Sequence, residues 1–99
     1  VYASVVEEEE EEEEEWPENA VWVYPNPARG VFYVLLTDPD RQYGITKLYD
    51  SFGRFVFSQA VYYGPNPIDV PDNLSSGFYT VTLEAANLPR YRKKLIIIN

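Results

Sequence analysis

The 99 residues allow one domain, and the lack of any cysteine or histidine excludes disulfides, thiolate or imidazole metal sites, and the usual serine or cysteine hydrolase centres. The formal net charge of −8 belongs to one end, since residues 1 to 18 hold ten acids and no base, while residues 19 to 99 hold six acids and eight bases. No run approaches the roughly 20 apolar residues that a membrane-spanning helix needs.

The chain opens at Val1 without the basic, apolar and small-residue pattern of a signal peptide, and reads as a segment of a longer polypeptide whose export signal would lie upstream. Residues 7 to 15 are nine consecutive glutamates, which repel one another and bury no apolar surface, so residues 1 to 20 are expected to be a solvated acidic linker. A calcium-attracting or partner-binding tract is the alternative for that run. The domain proper is expected over residues 21 to 99, a length near the lower limit for a chain that folds alone.

From there, short apolar runs alternate with turn residues, as in an antiparallel sandwich. The first run, residues 20 to 24, meets Tyr24-Pro25-Asn26-Pro27-Ala28-Arg29-Gly30, where two prolines, a capping asparagine and a glycine predict a turn between strands. The second, residues 31 to 37, is apolar on both faces, the pattern of a strand buried on both sides, and stops at Asp38-Pro39-Asp40. Residues 42 to 50 form a third strand whose imperfect alternation points to a bulge or an edge. Ser51-Phe52-Gly53 makes a tight hairpin with Gly53 at positive φ, and residues 54 to 58 return with Phe55 and Phe57 on one face.

Gly64-Pro65-Asn66-Pro67 repeats the Pro-Asn-Pro string and is read as independent turn chemistry, followed by a short run at residues 68 to 70. From Phe78 the alternation is clean, with Tyr79, Val81 and Leu83 on one face and Thr80, Thr82 and Glu84 on the other. A last strand, residues 91 to 98, starts basic and ends aliphatic. The expected architecture is therefore all-β, an immunoglobulin-like antiparallel β-sandwich of about seven strands.

Catalytic chemistry finds little footing in these residues. Asp38 and Asp40 are the one close acidic pair in the domain; they flank a proline in a surface turn, which suits turn-making better than glycoside hydrolysis or calcium ligation. The five glycines stand singly and make no phosphate-binding loop. The basic cluster near the end alternates sides of a strand, unlike a nucleic-acid groove. The many aromatics fit a small core, with Trp16, Trp22, Tyr62 and Tyr63 expected at the surface, where a carbohydrate-binding or adhesion module would stack sugars.

Four strings in register, Tyr24 to Gly30, Leu48-Tyr49-Asp50-Ser51-Phe52-Gly53, Leu74-Ser75-Ser76-Gly77-Phe78-Tyr79 and Arg92-Lys93-Lys94-Leu95-Ile96-Ile97-Ile98, resemble the C-terminal sorting domain of type IX secretion cargo. The resemblance covers roughly residues 21 to 99 and departs from the family in the length of the acidic run. It implies a secretion and sorting signal, with no cofactor and no catalytic residue, that carries an upstream passenger across the outer membrane of a Gram-negative bacterium. Partners implied are the type IX translocon, an outer-membrane cargo-shuttle barrel and a sortase-like cysteine protease. The protease would cut in the lead, before or near Trp16, Pro17, Glu18, Asn19 and Ala20, with surface attachment following.

An address read by a barrel rim suits an exposed turn or an edge strand, whose backbone groups and alternate side chains give affinity and selectivity. The candidate signal residues are therefore Lys93, Lys94, Leu95, Ile96, Ile97 and Ile98, with Gly77 and Tyr79 shaping the neighbouring strand and Pro25, Asn26, Pro27, Gly30 and Gly53 setting turns.

Overall fold

A computed structural model describes residues 16, 19–40, 42–86 and 88–99. Its elements are β1 (Val21–Arg29), β2 (Val31–Leu36), β3 (Tyr43–Tyr49), β4 (Phe55–Tyr62), β5 (Gly64–Asp69), β6 (Gly77–Glu84) and β7 (Tyr91–Ile97), with no helix among the described residues. Strands run in the order β4-β3-β6-β7-β1-β2-β5, and fold into two packed sheets of three and four strands, the expected β-sandwich.

The Pro-Asn-Pro string is where the two sheets are joined, and it is not a turn. Val21 to Tyr24 pair antiparallel with β2, the register then shifts between Tyr24 and Arg29, and Ala28 makes a parallel pair with Ile97 of β7. Proline has no N–H for a ladder, so two prolines two residues apart end ordinary pairing on β1 and free the strand to change sheets. Extended φ values suit this as well as a turn, and the turn itself falls one step later, at Gly30 with φ 73°.

The second string behaves alike. Predicted as a turn, Pro65, Asn66 and Pro67 instead lie inside β5, an outermost strand paired with β2 from Val31↔Asp69 to Leu36↔Gly64. Edge strands are where proline is tolerated, and the buried Asn66 side chain supplies what the prolines cannot. Its Nδ2 donates to the carbonyls of Tyr62 (2.7 Å) and Val34 (3.0 Å), and its Oδ1 accepts from the Tyr62 N–H (3.0 Å).

Both sheets feed one core: Phe32, Val34, Leu36 and Ile68 from the three-stranded sheet, Leu48, Val61, Tyr79, Val81, Leu83, Leu95 and Ile97 from the other. The alternation of β6 is as expected, but two faces differ. β2 is not buried on both sides, because Phe32, Val34 and Leu36 point inward while Val31, Tyr33 and Leu35 are half-buried outside. Phe55 and Phe57 lie on opposite faces, since Tyr49 pairs with Phe55 and Leu48 with Phe57, leaving Val56 as an extra residue in a bulge. The bulge expected in the third strand thus lies in its partner, while β3 itself alternates regularly with Gly44, Thr46 and Leu48 inward, and its apolar pattern looks uneven because two of those inward residues are glycine and threonine. β4 also runs on to Tyr62 and delivers the fully buried Val61.

Gly44 lets β3 and β6 approach. A Cβ there would sit 2.9 Å from Leu83 Cδ1 and 3.0 Å from the Glu84 carbonyl oxygen, and the latter cannot rotate away. Gly44→Ala is expected to cost about 1–3 kcal/mol by overpacking, read as a lower urea midpoint with unchanged m-value.

The β3–β4 hairpin is closed by Asp50. Its Oδ1 accepts from the N–H groups of Phe52 and Arg54, both at 2.9 Å, and its Oδ2 accepts from Arg54 Nε at 2.9 Å, while Gly53 takes φ 83°. The Arg54 backbone N–H, then the Arg54 side chain and the Phe52 N–H, hold the Asp50 carboxyl below its ordinary 3.8. A folded-state pKa depressed in this way stabilises fully above the unfolded value and is lost as pH falls through the lower, folded one. Acid unfolding below about pH 4 should therefore be shallower in Asp50→Asn, which starts from a lower neutral-pH stability. Urea midpoints measured against pH give the comparison.

Candidate recognition surface

The last strand was expected at an edge. It pairs with β6 along its whole length, from Leu83↔Tyr91 to Gly77↔Ile97, and on its other side meets β1 only at Ala28↔Ile97, so it closes the four-stranded sheet and only its basic half is left as an open edge. Its apolar half is locked. Leu95 and Ile97 are 0% exposed, Ile96 and Ile98 are half-buried, and the Ile98 N–H donates to the Ala28 carbonyl at 2.9 Å.

Asn26 replaces the missing ladder on the other side. Its Nδ2 donates to the Lys94 carbonyl (3.2 Å) and its Oδ1 accepts from the Ile96 N–H (2.9 Å). One side-chain amide thus meets the donor and acceptor that a neighbouring strand would, between two prolines that cannot. Asn99 completes the anchor: its N–H donates to Ser76 Oγ (2.8 Å) and its Nδ2 to the Leu74 carbonyl (2.6 Å). On β6, Gly77 pairs with Ile97 and Tyr79 with Leu95, and the buried Tyr79 ring sends its hydroxyl to the Ser75 carbonyl (2.6 Å). That bond is of the tyrosine-corner kind found in sandwiches.

The basic half is disposed differently. Ahead of Lys94, β7 and β1 splay apart, because Ala28↔Ile97 is the one register pair between them. Trp16, Ala20, Val21, Tyr91 and Lys93 line the resulting cleft of about 380 Å³. Trp16 was expected to be exposed. It is half-buried, with Nε1 donating to the Pro89 carbonyl (2.6 Å) and its ring edge-on to Tyr91, whose phenol burial pushes up in pKa. Arg92 and Lys94 face the other way, Lys94 Nζ lying 5.3 Å from the Phe78 ring centre. Neither they nor Lys93 makes an ion pair among the described residues.

Of the residues named for the lead, Pro17 and Glu18 lie outside the described residues. Asn19 and Ala20 are tied to β2's end, their carbonyls accepting from Thr37 Oγ1 (2.8 Å) and the Thr37 N–H (3.0 Å). Asp38 Oδ1 accepts from the Asp40 N–H (3.0 Å), and the described residues contain no group of three or more metal-ligating side chains. The outer face of β1, β2 and β5 carries a plate that the sequence reading missed in part. Trp22 lies opposite Leu35, and Tyr24 opposite Tyr33, with Pro65 and Pro67 completing the two rows. Tyr24 and Tyr33 stack at 5.5 Å and 15°. Trp22, Tyr62 and Tyr63 are exposed as expected, and Tyr24, Tyr43, Phe52, Phe55 and Phe78 join them.

Comparison with protein-family models matches residues 22–98 to the secretion system C-terminal sorting domain. The chain belongs to that family. No curated protein matched it. The matched span runs from the second residue of β1 past the end of β7, so the strand-switching Asn26 and the whole of β7 both fall within it. Membership makes the chain a C-terminal type IX secretion sorting signal, implies a passenger upstream and type IX machinery as partner, and implies export to the cell surface or extracellular space. The family is not a catalytic one.

Proposed function

We propose that this sorting domain is read by an outer-membrane cargo-shuttle barrel after periplasmic transit, through the basic half of its last strand, with Lys93 and Lys94 in contact and the apolar half held inside. The observation that carries the reading is the division of β7: Leu95 and Ile97 fully buried, Arg92 to Lys94 exposed, cationic and without a carboxylate partner among the described residues. In this view Leu95, Ile96, Ile97 and Ile98, with Gly77, Tyr79, Pro25, Asn26, Pro27 and Gly30, keep the strand in register, while Gly53 keeps the hairpin. A sortase-like cysteine protease then cuts in the acidic lead, residues 1 to 20, and joins the passenger to the surface. Since Trp16, Asn19 and Ala20 are tied to the domain, a cut ahead of Trp16 would leave it intact.

Crosslinking tests the contact. A photoreactive residue at position 93 in the full chain is expected to capture an outer-membrane barrel in cells with type IX machinery, and one at Phe52 on the β3–β4 turn is not. Equal capture at both positions removes the reading.

The aromatic plate favours a second reading, a carbohydrate-binding or adhesion surface, because Trp22 and Tyr24 present flat π faces beside two prolines. Glycan binding lost in Trp22→Ala while export persists would establish that surface as separate from the signal.

A further inference from the structure

The outer face of the four-stranded sheet carries more positive charge than its own carboxylates neutralise. Lys47 Nζ and Arg90 Nε both reach one oxygen, Glu84 Oε2, each at 3.4 Å, so two cations share a single carboxylate. Arg92 stands opposite Thr82 and Lys94 opposite Thr80, with no ion pair for either among the described residues. A cleft of about 210 Å³ opens here, lined by Tyr49, Gly53, Thr80, Thr82, Arg90 and Arg92.

Thr82 is the second, independent sign. It is 2% exposed, and its hydroxyl oxygen has no hydrogen-bond partner among the described residues. Thr46, the other buried threonine of this sheet, donates to the Thr82 carbonyl at 2.7 Å. A buried hydroxyl left unpaired is costly and uncommon. A donor without an acceptor, beside the Arg92 guanidinium without an ion-pair partner among the described residues and an Arg90 that shares its carboxylate with Lys47, is the chemistry of an oxyanion site.

We propose that this cleft is a carboxylate-binding site and that its ligand is the chain's own glutamate run, residues 7 to 15. Charge is complementary, nine carboxylates without a base against a row of cations in excess. Continuity also fits, because Trp16 follows Glu15 directly and is fastened to Pro89, the residue before Arg90. Nine residues reach roughly 30 Å when extended, enough to pass along a seven-residue strand of about 23 Å. Individually such exposed pairs are weak; tethering raises the local carboxylate concentration to the millimolar range, which makes several weak pairs sufficient. The bound run covers Arg92 and Lys94 and competes with any other anionic partner for them. This inference does not depend on how the domain is sorted.

The test uses the full chain and a full-length variant in which all nine glutamates are replaced by glutamine, compared by backbone amide NMR. At about 20 mM salt the amides of Thr80, Thr82, Arg92 and Lys94 are expected to differ between the two, and the differences to collapse by about 500 mM. A free nine-residue glutamate peptide added to the glutamine variant should move the same amides back, with an apparent Kd weakened at least about tenfold over that salt range. In the glutamate chain, Arg92→Gln should erase most of the difference; the side chain is exposed, so the fold survives. Identical low-salt spectra would overturn the proposal, even where inorganic phosphate shifts those amides, since phosphate binding alone would make the cleft an oxyanion site with a different ligand.

Discussion

Removing the last five residues, Leu95 to Asn99, is expected to abolish export of a fused passenger and to unfold the domain in the same stroke. Leu95 and Ile97 are 0% exposed, and losing one such side chain to alanine typically costs about 2–5 kcal/mol. The deletion also removes the Gly77↔Ile97 to Tyr79↔Leu95 pairing and the Asn99 anchor. Against a total stability of roughly 5–15 kcal/mol, with small domains at the low end, nothing folded should remain. Loss of export in that truncation therefore reports on the fold as much as on a signal. Circular dichroism of the truncated domain separates the two: a cooperative thermal transition after truncation would contradict this account of β7.

The second large effect belongs to Asn26→Ala. It deletes two hydrogen bonds to the backbone of Lys94 and Ile96, each worth about 1 kcal/mol net and more if the partner stays dry. A loss of about 2–3 kcal/mol, or roughly 8–24 °C in Tm for a domain this size, is expected. Asn66→Ala is the matched control, because it breaks the equivalent staple on Tyr62 far from the last strand. Both should lower Tm, while hydrogen exchange at the Ile96 amide should quicken selectively in Asn26→Ala. Equal exchange in the two variants would mean that the last strand does not lean on Asn26.

Much of the sandwich was legible because its strands obey simple periodicity. Tyr79, Val81 and Leu83 alternate with threonines, and Ser51-Phe52-Gly53 carries its turn chemistry openly. The two Pro-Asn-Pro strings misled for a physical reason. Proline and asparagine predict turns through backbone effects, a missing N–H and a fixed φ, but an extended strand tolerates both if a side chain supplies the lost hydrogen bonds. Asn26 and Asn66 do so with partners 70 and 4 residues away respectively, and the longer separation leaves no local trace. The middle of β2 misled differently: Tyr33 and Leu35 look like core, yet they form an outer plate with Trp22 and Tyr24, because a small sandwich has more apolar side chains than interior. What the sequence hides about β7 is its apolar end, which the Ala28↔Ile97 bridge and the Asn26 side chain tie to β1.

In the proposed recognition, the cationic half of β7 is what the machinery reads, whereas the aliphatic half serves only to hold it. Lys93→Gln with Lys94→Gln tests it directly, because both side chains are exposed and neither is ion-paired among the described residues. Cell fractionation of a reporter fused to this double variant should find the reporter retained inside the outer membrane, while the purified domain melts within a few degrees of the original. Secretion at the original level from an equally stable domain would contradict the claim.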